Sequence, residues 1–239
     1  MKTFLSICCL LIFISASAQL RLADSRKDIN IRAGSMFYMV GGEPVLTSEF
    51  SRVVEGTPYF SDDWMKGMIV LYNNAVYKDL LVKIDLTKGG VHYLDQFGKE
   101  FIVESAIKEV VLTDSINERN FRFIHAPSIT NSKDKRTQQW FLWLLTGNAS
   151  LYKVFNKEVI EQKPYGSASV EQRVRTSEKY AVQVNGSVFY TKKLKDLPTL
   201  LMNKKEEVET FIKSGKMPLA ITTDDQFAAV IEYYNSLMR

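Results

Sequence analysis

Residues 66–87 read KGMIVLYNNAVYKDLLVKIDLT, two apolar runs on either side of Asn73-Asn74. In the second run Leu80, Val82, Ile84 and Leu86 alternate against Lys83 and Asp85. A period of two puts one face of a strand in a core and the other toward water. Two such runs joined by a short Asn-rich turn predict a β-hairpin. The same pattern continues downstream. Gly89-Gly90 marks a turn, and 91–94, 100–104, 107–112 and 120–124 are short segments rich in β-branched or aromatic residues between turn signals. Upstream, 36–40 is an apolar strand candidate stopped by Gly41-Gly42 and Pro44. Residues 47–54 read as a short helix capped by Thr47, with Phe50, Val53 and Val54 on one face.

Residues 138–145, QQWFLWLL, form the most hydrophobic segment outside the N-terminal region, and 149–155 can pair back on it. On a strand Trp140 and Trp143 point to opposite faces, as do Phe141 and Leu142. The simplest reading is a strand buried on both sides; an aromatic ligand platform is the sharper one. Residues 162–178 are polar, with Pro164 and Gly166, and read as a loop or linker. Asn185-Gly186 between 180–184 and 187–191 is a type I′ hairpin signal. Helices follow. Residues 194–202 make a short one. Asn203 with Glu206 fits a capping box for the next, and Gly215 ends it. Thr223 with Gln226 repeats that logic for the last helix, where Phe227, Val230, Ile231 and Tyr234 share one face.

These readings predict an α+β, mainly β fold: an antiparallel meander forming a sandwich or partly closed barrel, with a C-terminal hairpin and a helical tail. The expected organisation is a signal peptide at 1–18, a β-rich domain at 19–161, a loop or linker at 162–178, and at 179–239 a hairpin with two to three helices docked on the β domain.

The signal peptide rests on Lys2, the apolar run 4–14 and the small-residue site Ala16-Ser17-Ala18, with Gln19 as the first mature residue. The run is too short for a stable membrane anchor, which needs about 20 residues. Both cysteines of the chain, Cys8 and Cys9, lie inside the signal. The bulky Ile7 before Cys8, and the early place of that cysteine, argue against lipid attachment. The mature chain therefore carries no thiol nucleophile, disulfide or Cys-based zinc site. A net charge of +4 over 239 residues is mild. The basic clusters, such as Lys133 to Arg136 and Lys204-Lys205, are short, so no nucleic-acid partner is indicated. No later apolar run is long enough to span a membrane. The expected location is the periplasm, with the extracellular space as the alternative.

Gly56-Thr57-Pro58-Tyr59, the runs 66–70 and 81–85, Tyr77-Lys78-Asp79, 147–152, 180–191, 204–212 and 231–235 together resemble uncharacterised exported proteins of Bacteroidota. The resemblance extends over most of the mature chain. It implies export and a β-rich body with a helical tail, and it carries no catalytic or binding residues that could be transferred.

Chemistry is sparse. His92 and His125 are the only histidines, without HExxH spacing or a GxSxG elbow. No metal, cofactor or nucleotide motif is present. Asp62-Asp63 just before Trp64, close to Tyr59 and Phe60, is the one place where acids and aromatics gather. Paired acids beside aromatics suit a glycosidase cleft, but adjacent acids in one loop usually point apart. Asp224-Asp225 and Glu206-Glu207 fall in first helical turns, where negative charge is favourable. Tyr59, Phe60, Asp62, Asp63 and Trp64 are thus the candidate ligand surface. The expected function is non-enzymatic binding of an envelope protein or glycan; the alternative is a carboxylate-dependent hydrolase of envelope or carbohydrate substrate.

Export is checked by intact mass. The secreted chain should begin at Gln19, and a diacylglyceryl group on Cys8 or Cys9 would overturn the cleavage assignment.

Overall fold

A computed structural model describes residues 42–45, 52–130, 139–166, 169–214 and 223–239. The readings of a signal peptide at 1–18, a strand at 36–40 and a helix end at Gly215 fall outside these residues. The strands are β1 (Gly42–Pro44), β2 (Val53–Glu55), β3 (Met65–Leu71), β4 (Val76–Ile84), β5 (Val91–Leu94), β6 (Glu100–Val103), β7 (Ile107–Asp114), β8 (Arg119–His125), β9 (Trp140–Leu145), β10 (Ala149–Gln162), β11 (Glu171–Val184) and β12 (Ser187–Thr191). The helices are α1 (Leu197–Leu200), α2 (Lys205–Lys213) and α3 (Thr223–Leu237).

The chain is mainly β. Its strands form one sheet in the order β1-β6-β5-β4-β3-β7-β8-β9-β10-β11-β12, with β2 added to β11. Every pairing is antiparallel except β2 with β11. The sheet does not close into a barrel. A strap runs from β2 to the end of β4. Beyond β2, the Phe60 N–H donates to the Ile84 carbonyl at 2.9 Å, and Leu86 N–H donates to the Pro58 carbonyl at 2.9 Å. One short segment therefore touches β11 at its start and the end of β4 at its finish.

The β3–β4 hairpin explains a flaw in the simple alternation. Gly67 pairs with Leu80 but Ile69 with Tyr77, so β4 carries an extra residue. Asp79 takes it up with φ 58°, as in a β-bulge. Tyr77 and Leu80 are consequently both buried although three positions apart. Asp85 is also buried, at 3% exposure. Its Oδ1 accepts from Thr87 N–H, Thr87 Oγ1 and Lys88 N–H, so a polar residue fills this position by capping the turn.

The sheet is apolar on both faces. On the inner face, Ile69, Val82, Ile84, Val110, Leu112, Phe123 and Trp140 form one cluster. Ala149, Leu151, Val182, Leu197, Val208, Phe227 and Ile231 form a second, where the helices cover the sheet. Leu144 joins the two. On the outer face, Phe141, Tyr152, Val154 and Ala181 form a third. Trp140 and Phe141 thus sit on opposite sides of β9, as period two requires, and its first three residues are buried.

Four expectations are corrected. Residues 162–178 are not a linker. Glu171–Val184 is a continuous strand paired residue by residue with β10, so the second half of that stretch is sheet. The division between 19–161 and 179–239 therefore crosses one unbroken sheet. Val53–Glu55 is a strand rather than the end of a helix; the rest of 47–54, up to 51, lies outside the described residues. Asn203 does not cap α2. It lies in a 3-10 turn, and Lys204 holds the cap position without a side-chain hydrogen bond. Thr223 is already helical in α3 rather than its cap. The Asn185-Gly186 hairpin stands as read, with φ 49° and 76°.

Helix α3 is fixed to the sheet by three side chains. Asn235 is buried; its Oδ1 accepts from Ala149 N–H at 2.8 Å and its Nδ2 donates to the Ala149 carbonyl at 3.0 Å. A Cβ on Gly147 would fall 2.3 Å from Asn235 Nδ2, so only glycine lets the amide in. Tyr180 stacks on Phe227 with centroids 3.8 Å apart and donates its hydroxyl to Asp224. Lys153 sits between Glu178 at 2.7 Å and Asp224 at 3.2 Å. Burial alone would lower the Lys153 ammonium, but the two carboxylates overcome it and hold it above its ordinary value. Burial, and then the hydrogen bond to Asp224, push the Tyr180 phenol far up.

Ile231 is 0% exposed under α3. Ile231→Asp should cost at least about 3 kcal/mol of the roughly 5–15 that a domain has, while the exposed Glu232→Ala should be nearly silent. Asn235→Ala should cost about 1–3 kcal/mol for each Ala149 peptide group left without a partner. Urea melts of the three variants check this order.

Candidate functional site

The strap carries the residues singled out in the sequence, and its extended backbone divides them. Phe60 turns inward. It meets Phe121, Phe123 and Phe155 edge-on at 4.9, 4.8 and 5.9 Å, inside the first core cluster. Phe60 is therefore removed from the candidate ligand surface; it is packing. Tyr59, one residue earlier, bridges to Asp85 and faces the other way.

Lys157 of β10 holds the strap down. Its Nζ donates to the Thr57 carbonyl at 2.8 Å and to the Tyr59 carbonyl at 2.5 Å. Burial lowers the Lys157 ammonium below its ordinary value, opposed by the Asp62, Asp85 and Glu178 carboxylates. Sequence reading missed this role, because nothing local links residue 157 to residue 57.

On the outer face the strap meets β4 and β5. Lys83 alternates with the buried Val82 and Ile84 and so projects away from the core. Its Nζ lies 5.2 Å from the Tyr59 ring centroid and 4.9 Å from that of Trp64. Each contact is attractive through the ring quadrupole. His92 pairs with Lys83 across the strands, meets Tyr59 edge-on at 5.6 Å and has its Nδ1 2.6 Å from Glu100 Oε1. At 6% exposure His92 is a core-edge residue. Trp64 is half-buried. Leu81 and Ile102, on the same face, are 41% and 37% exposed. Asp62 and Asp63 are exposed on the adjoining turn, where the Asp63 N–H donates to Ser61 Oγ at 3.2 Å. Tyr59, Trp64, Lys83, His92 and Glu100 thus form one outer patch with Asp62 and Asp63 beside it. Lys83 was legible as an outward residue, but its partners were not.

His125 lies elsewhere. It ends β8, its ring 5.1 Å from Trp140, with Tyr72 Oη 3.4 Å from its Nδ1. Trp143, offered as part of an aromatic platform, is half-buried under the Arg122 guanidinium at 4.0 Å. Arg122 in turn makes a bidentate pair with Glu109, at 2.6 and 2.8 Å. Among the described residues no group of three or more His, Cys, Asp or Glu is arranged to hold a metal ion, and no helix is long and apolar enough to cross a membrane.

Phe60→Ala should cost about 2–4 kcal/mol, below the full value for a buried ring because Phe60 is half-buried. Asp63→Asn should change stability little. Thermal melts separate the two, and equal stability would show that the strap is not anchored by this ring. Compared with family models, curated proteins and solved structures, the chain matches none.

Proposed function

We propose that this chain is an exported protein of the bacterial envelope that works by binding, and that it takes an envelope glycan on the outer patch of β4 and β5. The observation that carries this reading is Lys83 held between the rings of Tyr59 and Trp64. Flat rings on an open sheet face suit the C–H faces of sugars, and a fixed ammonium with nearby carboxylates supplies hydrogen bonds to hydroxyl groups. The leading segment 1–18, with its A-x-A site, supports export.

The hydrolase reading places Asp62 and Asp63 as catalytic acids. Glycosidase acids face one another across the scissile bond, about 5–10 Å apart. These two are neighbours on one exposed turn, which favours the binding reading.

Isothermal titration calorimetry of the chain with soluble peptidoglycan fragments tests the proposal. Trp64→Ala and Lys83→Ala should each weaken binding at least tenfold, while a control Met202→Ala, exposed among the helices that cover β9–β12, should bind as before. Unchanged binding in Trp64→Ala would overturn the site. Steady release of reducing ends that Asp62→Asn or Asp63→Asn abolishes would restore the hydrolase.

A further inference from the structure

Beyond Val154, the edge of β10 that faces away from β11 has no strand partner among the described residues and carries a surface separate from the outer patch of β4 and β5. β9 pairs with β10 only between Leu151 and Val154, whereas β11 accompanies β10 to Gln162. Among the described residues, no strand lies on the other side of β10 from Asn156 to Gln162. The register decides which peptide groups that edge displays. The two-residue turn Asn185-Gly186 makes Val184 and Ser187 the closing hydrogen-bonded pair. Even positions of β11 then face β12 and odd ones face β10. Carried through Ala149↔Val184, odd positions of β10 point their N–H and C=O away from β11. Two contacts agree. Ala149 gives both groups to Asn235, and the Gln172 N–H goes to the Arg52 carbonyl on the β2 side. The open edge thus displays Lys157, Val159 and Glu161.

We propose that this edge pairs with the same edge of a second copy of the chain, antiparallel about a two-fold axis at Val159. In that register Val159 opposes Val159, Lys157 opposes Glu161, and Asn156 opposes Gln162. Lys157 gives two of its three ammonium hydrogens to the strap and keeps the third toward the opposed Glu161, and each displayed residue meets a displayed residue, so each such pair exchanges both its N–H···O bonds. The nearest alternatives that keep displayed residues opposite one another are worse. One step one way opposes Glu158 with Glu158, and one step the other way opposes Lys157 with Lys163. Like charges directly opposite are destabilising. Val159 also stands across from the buried Val174. The pairing therefore lays Val174, Val159, Val159 and Val174 in one apolar row across four strands. An isologous contact of this kind closes at two copies. Charges on an edge strand can instead serve to repel other chains, and the experiment separates the two.

Sedimentation equilibrium of the full chain should show mass rising from monomer toward dimer with concentration. Val159→Pro removes a displayed N–H without touching a bond to β11, and should hold the chain at monomer. Cysteine trapping fixes the register in a chain carrying Cys8→Ser and Cys9→Ser. Opposed hydrogen-bonded residues lie about 5.5 Å apart at Cα, within the disulfide range of about 4.4–6.8 Å. Val159→Cys should therefore oxidise to a covalent dimer. Asn156→Cys or Gln162→Cys alone should not, whereas a mixture of the two should. A monomer at every concentration, or cross-linking equal at all three positions, overturns the proposal, whether the edge is guarded by its charges or covered by another part of the chain.

Discussion

A sheet this long, with apolar residues on its inner face throughout, must find cover for that face, and it does so in two ways. From β3 to β8 it curls until its own strands cover one another, so that Trp140 of β9 donates its indole N–H to the Gly89 carbonyl beyond β4, at 2.9 Å. From β9 to β12 the cover is α1, α2 and α3. The strap of 57–60 lies between these regimes. Lys157 supplies its polar attachment and Phe60 its apolar one. Right-handed twist accumulates across many strands, which favours the curl.

Much of this order was visible in residues whose surroundings differ on two faces. Leu80, Val82 and Ile84 alternate because one side of β4 is core. Phe227, Val230, Ile231 and Tyr234 recur at helical spacing because one side of α3 is core. The signal fails where both faces have the same surroundings. In 171–178 only Val174 is buried, so a strand there shows no alternation and looks like a polar loop. The bulge at Asp79 shifts the phase of β4 for a reason that no local pattern reveals. In the strap, Pro58 and Phe60 turn one way and Tyr59 the other. That alternation was present in the sequence, but three residues beside a proline are too few to declare it.

The candidate surface followed the same rule. Asp62, Asp63 and Trp64 were found because acids and an aromatic stand together in the chain. Lys83, His92 and Glu100 joined them only through the ladder of β4, β5 and β6, a relation between strands. The resulting patch lies on the outer face of the sheet, opposite the first core cluster.

The pairing of Asn235 with Ala149 has a consequence for the order in which the chain can be finished. The amide imitates the peptide group of a neighbouring strand, at a point where β9 has already turned away. It lies 86 residues downstream of the groups it satisfies. A chain emerging from its N-terminus can assemble the β3–β8 meander early from neighbouring hairpins. Until residue 235 reaches them, the Ala149 N–H and carbonyl keep water as their partners, so this corner of the sheet closes only once the whole chain is in place.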